Sequence, residues 1–139
     1  MSEESVLIAA DAPTALALGA ALARPRHYCL QVDRLIESAR LSDAACVLLD
    51  VRLGGQRWRA IEWAPLLLSL PLQPVVVAVG RRDAKRELGE ARRWGCADYV
   101  NLSETAWAAA LSRAVDLALA LRRRDLREGR RPLPSSEVH

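Results

Sequence analysis

A chain of 139 residues with 51% hydrophobic side chains is the size of one domain, with enough apolar material for a proper core. Phe is absent and aromatic residues make up 4%, so aliphatic side chains must fill that core. The net charge is +3 and it belongs to one end: residues 122–139 carry six Arg against Asp125, Glu128 and Glu137, while the preceding 121 balance, which excludes a nucleic-acid footprint spread over the whole domain.

The short apolar run Val6-Leu7-Ile8-Ala9-Ala10 predicts a buried strand that stops at Asp11. From Pro13 to Ala23 the apolar residues fall on helical spacing, with Pro13 suited to a first turn, until Arg24-Pro25-Arg26 breaks the pattern. Tyr28-Cys29-Leu30-Gln31-Val32 predicts a second strand. Leu35 to Leu41 predicts a short helix with Asp33 as its N-cap. Cys46-Val47-Leu48-Leu49 predicts a third buried strand, ending at Asp50. Val51 to Gln56 reads as a loop, and Trp58 to Leu70 as a helix that Pro65 kinks or splits.

Pro74 to Val79 is the strongest strand pattern in the chain, and Gly80-Arg81-Arg82-Asp83 ends it. Lys85 to Trp94 predicts a charged amphipathic helix closed by Gly95. Asp98 to Asn101 predicts a fifth, short strand. A last helix is expected from about Thr105 to Arg124 or beyond, with a loose tail from about Leu133. We divide the chain into a domain over 1–124 and a basic C-terminal extension over 125–139.

Cys29, Cys46 and Cys96 are odd in number and far apart, with no metal spacing. They read as small buried hydrophobes in a reducing compartment. The acidic start Met1-Ser2-Glu3-Glu4 is no secretory leader, and no apolar stretch is long enough to span a bilayer, so a cytoplasmic location is expected.

Five alternations of strand and helix are the signature of an α/β fold, a doubly wound five-stranded parallel sheet covered on both faces. Such a sheet places its site outside the carboxyl ends of the strands. Two strands end in an aspartate, Asp11 and Asp50, and the first and third strands lie side by side, so the two carboxylates would share one pocket. Paired carboxylates in an open, wet site suit Mg²⁺, and a carboxylate beside that ion can attack a phosphoryl group. Against this stands the plainer expectation that each Asp is a polar strand stop or a helix cap.

Four segments carry a resemblance: Val6 to Pro13, Val47 to Gly55, Pro74 to Gly80, and Gly95-Cys96-Ala97-Asp98-Tyr99-Val100. In this order and at these intervals they resemble the receiver domain of two-component response regulators, over residues 5 to about 124. The resemblance implies a flavodoxin-like (β/α)5 receiver fold and a bacterial signalling module that is not a metabolic enzyme. It implies that Asp50 is the phosphate acceptor, that Asp11 and Asp50 are Mg²⁺ ligands, and that Arg52 offers the metal its backbone carbonyl. Tyr99 matches the aromatic that turns inward on activation.

The departures are as informative. The first acid of the expected pair is Ala10, the hydroxyl residue ending the fourth strand is Val79, the lysine ending the fifth is Leu102, and Ser103 follows where a proline is usual. A phosphoryl group adds three acceptor oxygens that Val79 and Leu102 cannot answer. Each charge-assisted hydrogen bond lost is worth about 1.5–3 kcal/mol. The leading expectation is therefore an atypical receiver serving as a protein–protein interaction module, with phosphorylation of Asp50 absent or weakly coupled and Mg²⁺ weak. The alternative is a working phospho-acceptor loaded by a histidine kinase with Mg²⁺. A third class, a small nucleotide-binding domain, lacks the Gly-rich loop after the first strand, although the emptied pocket leaves nucleotide ligands open.

Expected partners are a histidine kinase or another signalling protein, and a second copy through the last helix. Trp107, Leu111, Val115 and Leu119 are the expected interface residues, because the run from Ala114 to Leu121 is apolar nearly all round. Neither a membrane nor nucleic acid is expected as a partner, and the Arg-rich end reads as a solvated surface.

Overall fold

The computed structural model describes residues 4–54 and 59–129. The expectations for Gly55, Gln56, Trp58 and the tail from Arg130 lie outside those residues. Five strands, β1 (Val6–Ala9), β2 (Arg26–Cys29), β3 (Cys46–Asp50), β4 (Val75–Gly80) and β5 (Asp98–Asn101), alternate with helices α1 (Ala12–Ala20), α2 (Leu35–Ser42), α3 (Ala64–Leu68), α4 (Ala84–Arg93) and α5 (Trp107–Arg127). The strands form one sheet in the order β2-β1-β3-β4-β5, with every pairing parallel.

The continuous apolar strands feed two cores by simple alternation, because successive side chains leave opposite faces of a sheet. Leu7, Ala9, Val47, Leu49, Val76 and Ala78 pack with α2, α3 and α4. Val6, Ile8, Cys46, Leu48, Val77 and Val79 pack with α1 and α5. All three cysteines are buried and free. Burial pushes the Cys46 and Cys96 thiols up to about 12, so they are packing groups and not nucleophiles.

Several boundaries differ from the sequence expectation. β2 is Arg26–Cys29 and not Tyr28–Val32, and three of its four residues are exposed. It is an edge strand with one neighbour, fixed by register to β1 through Ile8 and Tyr28, so apolar content marked it poorly. Asp33 does not cap α2; it lies in a 3₁₀ turn, Val32–Arg34, and Arg34 takes the cap position with no side-chain bond. Pro65 opens α3 and does not kink a longer helix, because its missing N–H costs nothing in a first turn. A 3₁₀ turn, Ala60–Trp63, precedes it. Gly95 closes α4 as expected, with φ 101° just past the Trp94 cap.

The expected interface residues of the last helix are corrected by their burial. Leu111, Val115 and Leu119 are 0% exposed against the sheet, and Trp107 is packed against the same core. They are the inward seam of α5, held there by apolar burial worth about 1.5–3 kcal/mol per large side chain. Leu117, Leu121 and Leu126 are the large apolar residues that α5 leaves exposed. The Arg-rich end is also less free than expected. Arg122 donates to the carbonyls of Leu72 at 2.6 Å and Gln73 at 3.0 Å, and Arg122 and Arg123 both pair with Glu4.

Candidate functional site

The carboxyl ends of β1, β3, β4 and β5 lie along one edge of the sheet. Register pairs Ala9 with Leu49 and Asp50 with Val79, so Asp11 stands one residue further out than Asp50. That single step gives the two aspartates different surroundings.

Asp50 ends β3 and is 1% exposed. Its Oδ1 accepts the Arg52 backbone N–H at 2.9 Å and Arg52 Nε at 3.5 Å, and its Oδ2 accepts Arg52 Nη2 at 3.4 Å. Both carboxylate oxygens are thus engaged by one residue two positions on. Arg52 Nη2 also donates to Thr14 Oγ1 at 3.4 Å, which ties the β3 end to the first turn of α1. Sequence reasoning gave Arg52 a backbone role only; its side chain pairs with Asp50 at 3.4 Å.

Asp11 is exposed and serves as the N-cap of α1, accepting the Thr14 N–H at 2.9 Å. Hydrogen bonds from the Thr14 hydroxyl and amide hold its carboxyl below the usual aspartate range, and the more distant charges of Arg52 and Arg81 add to this. The plain cap expectation holds for Asp11, and it is compatible with a carboxylate still facing the site. Ala10, where an acid was expected, is fully buried.

The other positions that the resemblance singled out are closed. Val79 is 0% and Leu102 8% exposed, both packed in the core under α1 and α5. Tyr99 is 5% exposed and turned inward. Its hydroxyl bonds both the amide and the carbonyl of Arg82, at 3.2 Å each, and burial raises its pKa above the ordinary phenol value. Gly80 makes this seat: a Cβ there would stand 2.5 Å from the Tyr99 hydroxyl and 2.9 Å from Val51 Cγ2. Two further bonds fasten the turn after β4. Leu102 N–H donates to Gly80 O at 2.7 Å, and Ser103 Oγ donates to Arg81 O at 3.1 Å. Neither the seat nor the fastening was read from sequence. Gly80 beside Val79, with Tyr99 downstream, is the signal that carried them.

Folds of this kind imply a divalent ion at these strand ends. Asp11 and Asp50 are the carboxylates at these strand ends, the third acid is replaced by buried Ala10, and the guanidinium of Arg52 already neutralises Asp50. Among the described residues no group of three or more His, Cys, Asp or Glu side chains is placed to hold a metal. The set fits Mg²⁺ poorly, because the ion would have to displace a resident cation and keep two protein carboxylates.

No family model matches the chain, and no curated protein matches it. Solved structures do. NtrX from Brucella abortus superposes with a TM-score of 0.75 at 16% identity over 94% of this chain, which spans 30% of that protein's length. A CheY-like response regulator receiver domain protein from Methanospirillum hungatei gives 0.73 at 12% identity, covering 89% of this chain and 99% of that one. A LuxR-family two-component response regulator from Aurantimonas gives 0.70 at 17% identity, covering 98% and 92%. The fold is therefore the flavodoxin-like receiver fold, as the resemblance implied. No helix among the described residues is long and apolar enough to cross a membrane.

Proposed function

We propose that this chain is an atypical receiver: a signalling protein–protein interaction module of a bacterial two-component-type pathway, in which Asp50 does not act as a phospho-switch. The observation that carries the reading is the Arg52 guanidinium on Asp50. A nucleophilic carboxylate needs a free oxygen and, in this chemistry, a hard cation beside it. Here both oxygens accept from Arg52. Buried Val79 and Leu102 offer a phosphoryl group no donor side chain, and Tyr99 already occupies its inward seat. A switch needs two states of comparable free energy, and these contacts favour one of them.

In this reading the signal enters by association with a kinase or another signalling protein, with a second copy, or with both. The exposed Leu117 and Leu121, one helical turn apart on α5, replace the buried seam as the expected self-association stripe. The alternative, a working phospho-acceptor loaded by a histidine kinase with Mg²⁺, keeps the support of Asp50 and Asp11 at adjacent strand ends.

Amide NMR during titration with Mg²⁺ and beryllofluoride, a phosphoryl mimic, separates the two. The proposal expects no saturable shifts in the wild type or in Asp50→Asn. Saturable shifts that reach Tyr99 and Leu102 and vanish in Asp50→Asn would make this a working phospho-switch.

A further inference from the structure

Beside Asp50, on the α4 side, lies a cleft of about 500 Å³. Its apolar lining is the half-buried Val51 together with the edges that the buried Ile61, Ala91 and Tyr99 leave at the cleft floor. Five guanidiniums line it, from Arg52, Arg59, Arg81, Arg82 and Arg86, against the carboxylates of Glu87 and Glu90. Two of the five are matched, because Arg59 is held by Glu90 at 2.6 Å and Arg52 by Asp50. Arg81, Arg82 and Arg86 are exposed and make no ion pair among the described residues. Glu87 is therefore the one unpaired carboxylate in the cleft's own lining against these three guanidiniums, with Asp11, outside it, near enough for the Arg81 charge to act on its carboxyl.

Packing does not require this concentration of charge. The first 121 residues are balanced in charge overall, so the excess here is local. Like charges gathered at one cleft repel, and an anion relieves them. Arginine presents five donors in a fixed fork that suits the oxygens of a phosphate. The apolar surface beside the rim would cover a flat, weakly polar group. The volume falls within the roughly 300–1,000 Å³ of small-molecule sites. A concave cleft also differs from the protruding helix or ribbon that reads a duplex groove.

We propose that this cleft binds a nucleoside diphosphate or triphosphate. The phosphates lie on Arg81, Arg82 and Arg86, and the base lies on the apolar surface of Val51, Ile61, Ala91 and Tyr99. The site needs no Gly-rich loop, because side-chain forks replace backbone N–H groups as the phosphate donors. It goes beyond the interaction-module reading and holds whether or not Asp50 accepts phosphate.

Calorimetric titration of the full chain at low salt, with ADP, GDP, adenosine and orthophosphate as separate probes, tests this. Saturable one-to-one binding of at least one diphosphate is expected, at least tenfold tighter than adenosine or orthophosphate. Arg82→Ala/Arg86→Ala should weaken it at least tenfold. Arg34→Ala/Arg40→Ala, which removes equal charge away from the cleft, should leave it within about twofold. All four side chains are exposed, so both variants should keep the wild-type thermal midpoint. No saturable binding of either diphosphate up to about 1 mM, the scale of a very weak ligand, overturns the proposal. So does equal weakening in the two variants, which would mean general electrostatics. Binding of a single-stranded oligonucleotide with neither diphosphate bound would also overturn it and make the face a nucleic-acid contact.

Discussion

At the carboxyl ends of two adjacent parallel strands the chain places an aspartate, and the two ends are built on opposite principles. The β1 end is open. Asp11 is exposed, its carboxylate caps α1, and its partners are the amide and hydroxyl of Thr14 in its own helix. The β3 end is shut. Asp50 is 1% exposed, its partner is the side chain of Arg52, and the neighbouring β4 end is sealed by Tyr99 in the space that Gly80 leaves. A carboxylate that caps a helix has water for its free oxygen and tolerates removal. A buried carboxylate depends on the one cation that neutralises it. Thr14 joins the two ends, capped by Asp11 through its amide and reached by Arg52 through its hydroxyl.

The largest effect is expected at the shut end. Arg52→Ala leaves Asp50 buried with, among the described residues, only the backbone N–H of residue 52 as a donor. The loss should be about 2–3 kcal/mol at neutral pH, the scale of charge-assisted hydrogen bonds to a buried group. Asp50→Asn in the Arg52→Ala background should recover most of it, because no uncompensated charge remains. Denaturant unfolding of the two single variants and the double variant measures the coupling. Additive losses would show that Arg52 lies near Asp50 without stabilising it.

The seal over β4 comes next. Gly80→Ala puts a methyl group 2.5 Å from the Tyr99 hydroxyl and 2.9 Å from Val51. One must move, at about 1–2 kcal/mol for a forced overpacking. Tyr99 is the movable one, since its hydroxyl end is in the way. Its pKa, raised by burial, should then fall toward the ordinary phenol value, read as ultraviolet absorbance against pH. The sign follows from the shift. A group whose folded pKa is raised adds stability below its unfolded pKa and loses it as pH rises, so wild type should weaken more steeply than Gly80→Ala in alkali. Unchanged stability and titration would show that Tyr99 yields freely and that the inward seat is loose.

The sheet was legible in the sequence because its strands are continuous apolar runs separated by helical periods, and that pattern survives any detail of packing. The two strand-end aspartates were legible for the same reason. β2 was misplaced because an edge strand buries little: three of its four residues are exposed, while the apolar Leu30 beside it is half-exposed outside the strand. The interface residues on α5 were misread because its apolar positions extend round the helix, and periodicity alone does not say which side meets the sheet. Only burial separates Leu119 at 0% from Leu117 at 64%. The Arg52 side chain was illegible for another reason. Its direction depends on Thr14, 38 residues away, and no local rule encodes that meeting.

The smallest effect belongs to the open end, and its dependence on pH is the sharpest test of the contrast. Asp11→Ala removes a helix cap whose carboxylate stands in water, so its loss should be less than half that of Arg52→Ala. The Thr14 hydroxyl and amide hold the Asp11 carboxyl below the usual range. A folded-state pKa that is depressed adds stability above the unfolded value, and that stability is lost as pH falls through the folded value. The gap between wild type and Asp11→Ala should therefore stay constant from neutral pH down to about pH 4, near the ordinary aspartate pKa. Below that it should close. Thermal unfolding of both proteins in parallel from neutral to acid pH reads this gap. If it instead stays open in acid, the Asp11 cap does not act through its charge, and the two strand ends differ in burial but not in how they hold a carboxylate.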